Sequence, residues 1–379
     1  MKNYLLNKKV AIVYDWADIN YGGAEKVLLA LQKLFPDATF FTSVANFSKA
    51  KWLKKFKRVE TSFLQSWPNF IKKNRSLCSV FLPYSFESFN FDGFDLVISV
   101  SSFAAKGVIT KPNQLHICYL LTPTRFLYSH QAEYLGQTKF KIFPGRQIAK
   151  LVAKYLTSWD QVAARRPDYI IPISKLVAKR VGKYYELETL PSIYPPCAEN
   201  CAENNKKEDF FLSVCRLVDY KKVDLAIKAA ILTDTKLKIV GDGPNKKKYQ
   251  KLVRKLNGEH LIDFLGQISD KELELLYNKA RALLFIGEED FGITALEANA
   301  QGTIVIGNNQ SGAMEILPKS GKVELANLEV ETIAQAIREV RTDESNIRPK
   351  CIVADYNEQQ FIDNFKKQLN ELWKNNYEL

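Results

Sequence analysis

The chain has 379 residues, of which 46% are apolar and 25% charged, and its formal net charge is +12. This length exceeds what one hydrophobic core usually fills, so two globular domains are expected, and no apolar run approaches the ~20 residues that cross a bilayer. Three histidines disfavour a histidine-based metal centre, six scattered cysteines suit reduced thiols in the cytoplasm, and the charged start Met1 to Lys9 lacks the apolar core of a signal peptide.

Lys9 to Asp15 reads as a buried strand, followed by Gly22-Gly23 and a helix from about Ala24 to Phe35 with Val27, Leu28, Leu31 and Leu34 on one face. A basic cluster comes next, Lys49, Lys51, Lys54, Lys55, Lys57 and Arg58, then Trp67, Phe70, Lys72, Lys73 and Arg75. Basic residues mixed with aromatics fit an anionic membrane surface, and equally a solvated face. Asp95 to Ser99, Ile117 to Leu121 and Tyr169 to Ile173 are further strands, and Ser174 is placed to cap a helix from Lys175. Strands alternating with helices imply parallel βαβ units.

Composition shifts at Pro195 to Asp209, where a repeated Cys-Ala-Glu-Asn includes Cys197 and Cys201. The segment 197–209 reads as a linker, and the cysteine pair as duplication within it rather than a metal site. The alternation then restarts with strands Phe210 to Val214 and Leu237 to Val240 around a helix Val223 to Ala230. The turn Gly241-Asp242-Gly243-Pro244 reads as structural. A strand Asp263 to Leu265 precedes Gly266, and Ser269 to Glu272 is a capping box for a helix Leu273 to Ala280. Leu283 to Ile286 and Thr303 to Ile306 complete a second domain, 210–356, and Gln359 to Trp373 is a last amphipathic segment.

Between those last strands lies Glu289-Asp290-Phe291-Gly292-Ile293-Thr294-Ala295-Leu296-Glu297, with two glutamates eight positions apart. A Phe-Gly break separates them, and an apolar helix Ala295 to Ala300 should put Glu297 in its first turn. A helix N-terminus suits an anionic phosphate, while two carboxylates suit sugar hydroxyls. Arg216 and Lys221 leave the end of an earlier strand together, and a guanidinium fork with an ammonium suits a diphosphate. Lys222 is the neighbouring alternative to Lys221. Gly22 and Gly23 allow close backbone approach to a phosphate, but no G-x-G-x-x-G fingerprint accompanies them. In doubly wound sheets ligands bind beyond the carboxyl ends of the strands, so the loops after Asp15, Leu121, Val214 and Ile286 are the candidates for a site between the domains.

The glutamate segment resembles the E-x7-E signature of the family 4 retaining glycosyltransferases, in wording close to their mannosyltransferase-like branch. Arg216 to Asp224 is similar to that family's Arg-Leu-Val-x-x-Lys-x-Val-Asp pattern, and Gly22 to Glu25 to its Gly-Gly-Ala-Glu. The resemblance implies an α/β GT-B fold, two Rossmann-like domains facing across a cleft, with the C-terminal helix 357–379 returning to a first domain of residues 1–196. It gives Arg216 and Lys221 the donor diphosphate and the departing nucleotide, Glu289 the donor sugar, and Glu297 the ribose. Gly22, Gly23, Lys222, Gly266, Phe291, Gly292, Ile293 and Thr294 join the donor side, and Asp15 and Arg125 are acceptor-side candidates. Many relatives carry a histidine immediately before Thr-Pro, where this chain has Leu121 before Thr122-Pro123. His116 is expected in the core.

The expected function is hexose transfer, mannose first, from a nucleotide-diphosphate sugar to a glycan or lipid-linked acceptor in surface polysaccharide biosynthesis. GDP-mannose is the leading donor, a UDP-sugar is possible, and no metal or other cofactor is expected. The protein is expected in the cytoplasm, peripheral on a membrane's cytoplasmic face if the basic cluster docks there. The alternative, motivated by Leu121, is a catalytically silent GT-B protein that binds a nucleotide sugar or a partner. A nicotinamide dehydrogenase lacks its fingerprint, and a nucleic-acid binder lacks any motif beyond charge.

Overall fold

The computed structural model describes residues 8–19, 22–72, 78–131, 145–197, 207–342 and 353–377. Contacts divide the chain into two units, one of Met1–Pro196 with Phe361–Leu379 and one of Cys197–Gln360. The first contains the parallel strands β1 (Val10–Tyr14), β2 (Thr39–Thr42), β3 (Arg58–Thr61), β4 (Leu96–Ser101), β5 (Leu115–Leu120) and β6 (Tyr169–Pro172), in the order β3-β2-β1-β4-β5-β6. The second contains β7 (Phe211–Val214), β8 (Leu237–Val240), β9 (Ile262–Gly266), β10 (Ala282–Phe285), β11 (Ile304–Asn308) and β12 (Lys322–Leu325), in the order β12-β11-β10-β7-β8-β9. Counted from its own first strand, each sheet has the doubly wound order 3-2-1-4-5-6. The chain therefore reverses direction across the sheet at β1/β4 in one unit and at β7/β10 in the other.

The central strands are apolar because helices cover both faces of such a sheet. β1 and β4 are buried at every position. Edge strands β3 and β12 are short and polar, which explains why periodicity does not reveal them. The helices Lys175–Tyr185 and Asp270–Lys279 start at Ser174 and Ser269, whose hydroxyls accept the amides of Val177 and Glu272, and the second cap is a full capping box. The helix Gly145–Ala163 lacks a sequence-level cap and was not anticipated.

The C-terminal helix Glu358–Tyr377 buries Phe361, Phe365, Leu369, Leu372 and Trp373. Phe361 and Phe365 pack on Tyr119 of β5 with ring centroids 5.7 and 6.0 Å away, so this helix belongs to the core of the first unit. Residues 198–206, which carry Cys201 and most of the expected linker, lie outside the described residues. Cys197 is buried with its thiol on the Tyr356 carbonyl, and Asp209 is tied to Arg281 and Arg341. Among the described residues no helix is long and apolar enough to cross a membrane. Phe365→Ala should lower stability by about 3–5 kcal/mol in a chemical-denaturation titration, the scale for deleting a buried aromatic ring.

Candidate functional site

The reversal point of the second sheet brings the loop after β7 against the loop after β10. Gly287 makes this approach possible. A Cβ on Gly287 would lie 2.6 Å from Lys221 Cα and 2.8 Å from the Tyr220 carbonyl, so the two backbones touch. On the other flank, Gly241 and Gly243 let the turn after β8 close on the Arg216 loop, since a Cβ there would strike the backbone of Cys215 and Leu217. Leu217 N–H donates to the Asp242 carbonyl and Asn245 N–H to the Leu217 carbonyl. The Gly-Asp-Gly-Pro turn thus fixes the strand-end loop that carries Arg216.

Within this frame Lys221 and Glu289 meet in a direct ion pair, with side chains 10% and 21% exposed. Glu289 is held from behind. Its N–H donates to Ser311 Oγ at 3.3 Å, its carbonyl accepts from Gly312 N–H at 3.0 Å, and Ser311 Oγ donates to the Gly287 carbonyl at 3.1 Å. A Cβ on Gly312 would stand 2.2 Å from the Asp290 carbonyl. These supports, Gly287, Ser311 and Gly312, were missed by sequence reasoning. Their one signal is Gly287, which directly follows the expected strand Leu283 to Ile286.

Lys222 is not the partner of Glu289. It adopts a left-handed conformation with φ 53° and serves as the N-cap of the helix Val223–Leu232. Arg216 leaves the same loop exposed to solvent.

The helix after the first glutamate runs Ile293–Ala300, starting two residues ahead of the expected Ala295. Gly292 is its N-cap at φ 95°, and a Cβ there would meet Phe285 Cζ at 2.3 Å. Glycine's freedom at positive φ allows that early start. Glu297 consequently lies in the second turn, not the first. It accepts the Tyr277 hydroxyl at 3.4 Å, and burial, then Glu297, raises the Tyr277 phenol well above its usual range. Ile293 and Thr294 occupy the first helical positions, half-exposed, with no side-chain cap over them, so their amides are oriented as an anion site requires. The Phe291 ring is buried, which leaves its backbone as what it can offer a ligand. Gly266 ends β9 at φ 71°, half-exposed, and its carbonyl accepts Gly241 N–H from the turn after β8 at 2.7 Å.

The first unit repeats this topology with a different filling. Asp15, at the end of β1, turns its carboxylate onto the loop after β4. Oδ2 accepts from Ser102 N–H at 2.6 Å, Ser102 Oγ at 3.0 Å and Phe103 N–H at 3.0 Å; Oδ1 accepts from Ala104 and Ala105 N–H at 2.7 Å each. The acid expected to meet an acceptor is instead an internal anion that builds the loop. The physical cause is a run of backbone amides left by the sharp turn after β4, which a carboxylate satisfies well. Gly22 is the extended N-cap of the helix Gly23–Leu34, and burial raises the carboxyl pKa of Glu25 beside it.

Arg125 is half-buried in the turn after β5, between two residues fastened to Asp160. Asp160 is fully buried and accepts from Thr124 Oγ1 at 2.8 Å, Tyr128 OH at 3.1 Å, Tyr185 OH at 2.8 Å and Lys106 Nζ at 2.5 Å. Sequence reasoning missed this hub because its members are scattered. Leu121 N–H donates to the Ser101 carbonyl at the strand end, and His130 bonds Ser129 nearby at 2.7 Å. Among the described residues no group of three or more His, Cys, Asp or Glu side chains could hold a metal ion.

The sheet order, the loops at the second reversal point and the paired Lys221 and Glu289 can be set beside known proteins. Residues 199–359 match the model of the family described as glycosyl transferases group 1. The matched region contains the whole second sheet and both members of the Lys221–Glu289 pair. A curated relative, the O-antigen chain mannosyltransferase of Salmonella typhimurium, is 28% identical over 171 residues, 43% of this chain and 48% of that protein. The chain thus spans about half the length of that relative. Among solved structures, Anabaena HepE in complex with UDP superposes with a TM-score of 0.66 at 17% identity, covering 96% of this chain and 100% of that one. Sucrose-phosphate synthase from Thermosynechococcus elongatus gives 0.72 at 15% identity, covering 97% and 99%. Likeness to these structures shows a GT-B fold, in which each unit is a Rossmann-like α/β sheet.

His116 is buried in β5, with Nε2 2.9 Å from Ser99 Oγ, and burial, then the Arg166 charge, pushes its pKa down to about 3. It is neutral in the fold and takes up a proton on unfolding. The stability it contributes is complete above pH 6.5, its ordinary pKa, and is lost as the pH falls towards 3. Across that window His116→Gln should flatten the fall of unfolding free energy with pH by up to about 1.4 kcal/mol per pH unit, read from denaturation curves at each pH.

Proposed function

We propose that this chain is a retaining glycosyltransferase that moves a hexose from a nucleotide-diphosphate sugar to a glycan or lipid-linked glycan acceptor during assembly of a surface polysaccharide. The observation that carries this reading is the meeting of Lys221 and Glu289 at a sheet reversal point, within the region that matches the group 1 glycosyl transferase model. Mannose is the favoured sugar and GDP-mannose the first donor, on the strength of the Salmonella mannosyltransferase. The UDP complex of Anabaena HepE keeps a UDP-sugar as the second choice.

In this reading the donor's diphosphate takes Lys221, Arg216 and the amides at Ile293 and Thr294. Negative charge grows on the diphosphate as the glycosidic bond breaks. Two fixed cationic side chains and a helix N-terminus stabilise that charge without rearrangement and without a metal. Glu289 accepts hydrogen bonds from the sugar hydroxyls, and Glu297, steadied by Tyr277, from the ribose. The acceptor hydroxyl enters on the face the nucleotide leaves, so no side-chain nucleophile is assigned. Arg125, held by its Asp160-anchored neighbours, is the acceptor-side candidate.

Leu121 and the fully engaged Asp15 favour a second reading, a GT-B protein that binds nucleotide sugar without turnover. Steady-state transfer and donor-hydrolysis assays separate the two. Glu289→Gln and Arg216→Ala should each lower kcat at least ~10²-fold, the scale for losing one preorganised electrostatic group. Near-wild-type transfer in either variant rejects the site, and nucleotide binding with no turnover in the wild type supports the silent reading.

For the lipid-linked acceptor we propose peripheral attachment to the cytoplasmic face of an anionic membrane. Part of the basic cluster is already engaged, because Lys57 pairs with Asp37 and Arg58 with Glu60. Lys73 and Arg75 lie outside the described residues. Phe70, Tyr84 and Leu151 are better supports, as large apolar side chains of the first unit left exposed, with Lys150 and Lys154 beside Leu151 on its helix. Anionic liposomes should sediment the protein at low salt and release it at high salt; failure to sediment at low salt removes the attachment.

A further inference from the structure

The Lys221–Glu289 pair has a consequence for which ligands the site retains. The ammonium assigned to the donor's diphosphate already has a carboxylate on it. The backbones that carry the two partners are fixed, so only side-chain rotation can part them. Lys221 sits in the tight turn Asp219–Lys221, pressed against Gly287, and Glu289 is clamped through both its N–H and its carbonyl by Ser311 and Gly312. Asp219, the acid within that turn, has its own partner in Lys248 at 2.7 Å. An incoming diphosphate must therefore share or displace a fixed, mostly buried carboxylate of the same sign as itself.

We infer that Glu289 is a specificity-determining residue which selects the intact nucleotide sugar over the bare nucleoside diphosphate, by competing with the diphosphate for Lys221. This rests on the donor-site reading given above. A bare nucleoside diphosphate takes the ammonium and leaves Glu289 without its counter-ion, beside a terminal phosphate more negative than the sugar-esterified one. That outcome is penalised twice, by like-charge repulsion and by an unpaired half-buried carboxylate. The intact donor brings sugar hydroxyls, and their O–H groups donate to Glu289 as Lys221 turns to the phosphate. The carboxylate then exchanges one partner for another. After transfer the sugar departs, Glu289 again lacks a partner, and its return to Lys221 helps expel the spent nucleotide, a step that limits turnover in many enzymes. The same carboxylate thus serves binding of the donor and release of the product, with no bond made or broken by the protein.

A substitution that damages transfer should therefore improve binding of one ligand. Isothermal titration with GDP, UDP, GDP-mannose and UDP-glucose against the wild type and Glu289→Gln tests it. The bare nucleoside diphosphate that the wild type prefers should bind the variant about 3- to 10-fold more tightly, the scale of one ion pair released from competition. The matching nucleotide sugar should bind no more tightly, so the preference for donor over product shrinks. Glu289→Ala, measured alongside, must shift the same way. In a Lys221→Ala background the tightening must vanish, because the competition is for that ammonium. Unchanged or weaker binding of the nucleoside diphosphate by both Glu289 variants overturns the inference, as does tightening that persists without Lys221. A wild type that binds none of the four ligands instead overturns the donor-site reading, and the inference with it.

Discussion

The close approach of two loop backbones at the β7/β10 reversal is the constraint on which the candidate site depends. Gly287 has no side chain, so the Lys221 turn can lie directly on it. That single contact brings a cation from one strand end beside an acid from another, although Lys221 and Glu289 are far apart in sequence. The remaining features follow as supports. The Gly-Asp-Gly-Pro turn braces the Arg216 side, Ser311 and Gly312 brace the Glu289 side, and Gly292 opens the helix that points its amides outward. A doubly wound sheet supplies such a crevice in any sequence; the chemistry comes from what is set into it.

The first unit shows how much that filling matters. Its sheet has the same strand order, and its reversal point also presents backbone amides at a strand end. There the amides of Ser102, Phe103, Ala104 and Ala105 are already taken by Asp15. In the second unit the anion-attracting groups are a lysine held by a glutamate and a helix start with no side-chain cap. A carboxylate that accepts four amides is part of the fold, whereas one that pairs with a single ammonium can exchange it for a ligand. One topology can in this way give a structural knot in one unit and a binding site in the other.

Much of this was legible in the sequence. The buried strands β1 and β7, the serine caps and the glutamate signature follow from local pattern, and local pattern is what a sequence displays most directly. The edge strands β3 and β12 were not legible, because short strands with polar residues carry no periodicity. The start of the signature helix was placed too late, since nothing in the sequence shows that Gly292 adopts a positive φ and admits Ile293 and Thr294 to the helix. Asp15 reads as an acceptor residue in the sequence because an acid at a strand end looks the same whether its partners are hydroxyls or its own backbone. The Asp160 hub joins residues from separate elements, and only the folded chain brings Lys106, Thr124, Tyr128 and Tyr185 to one carboxylate.

We propose that a nucleotide sugar binds at the second reversal point through Arg216, Lys221 and the helix start. A thermal-unfolding screen with GDP-, UDP- and ADP-sugars, run on the wild type and on Arg216→Ala, is decisive, because a ligand that binds only the native state raises Tm by mass action. The wild type should show a concentration-dependent rise in Tm with one class of nucleotide sugar, largely lost in Arg216→Ala. No rise with any of the three, or an equal rise in the variant, rules the site out.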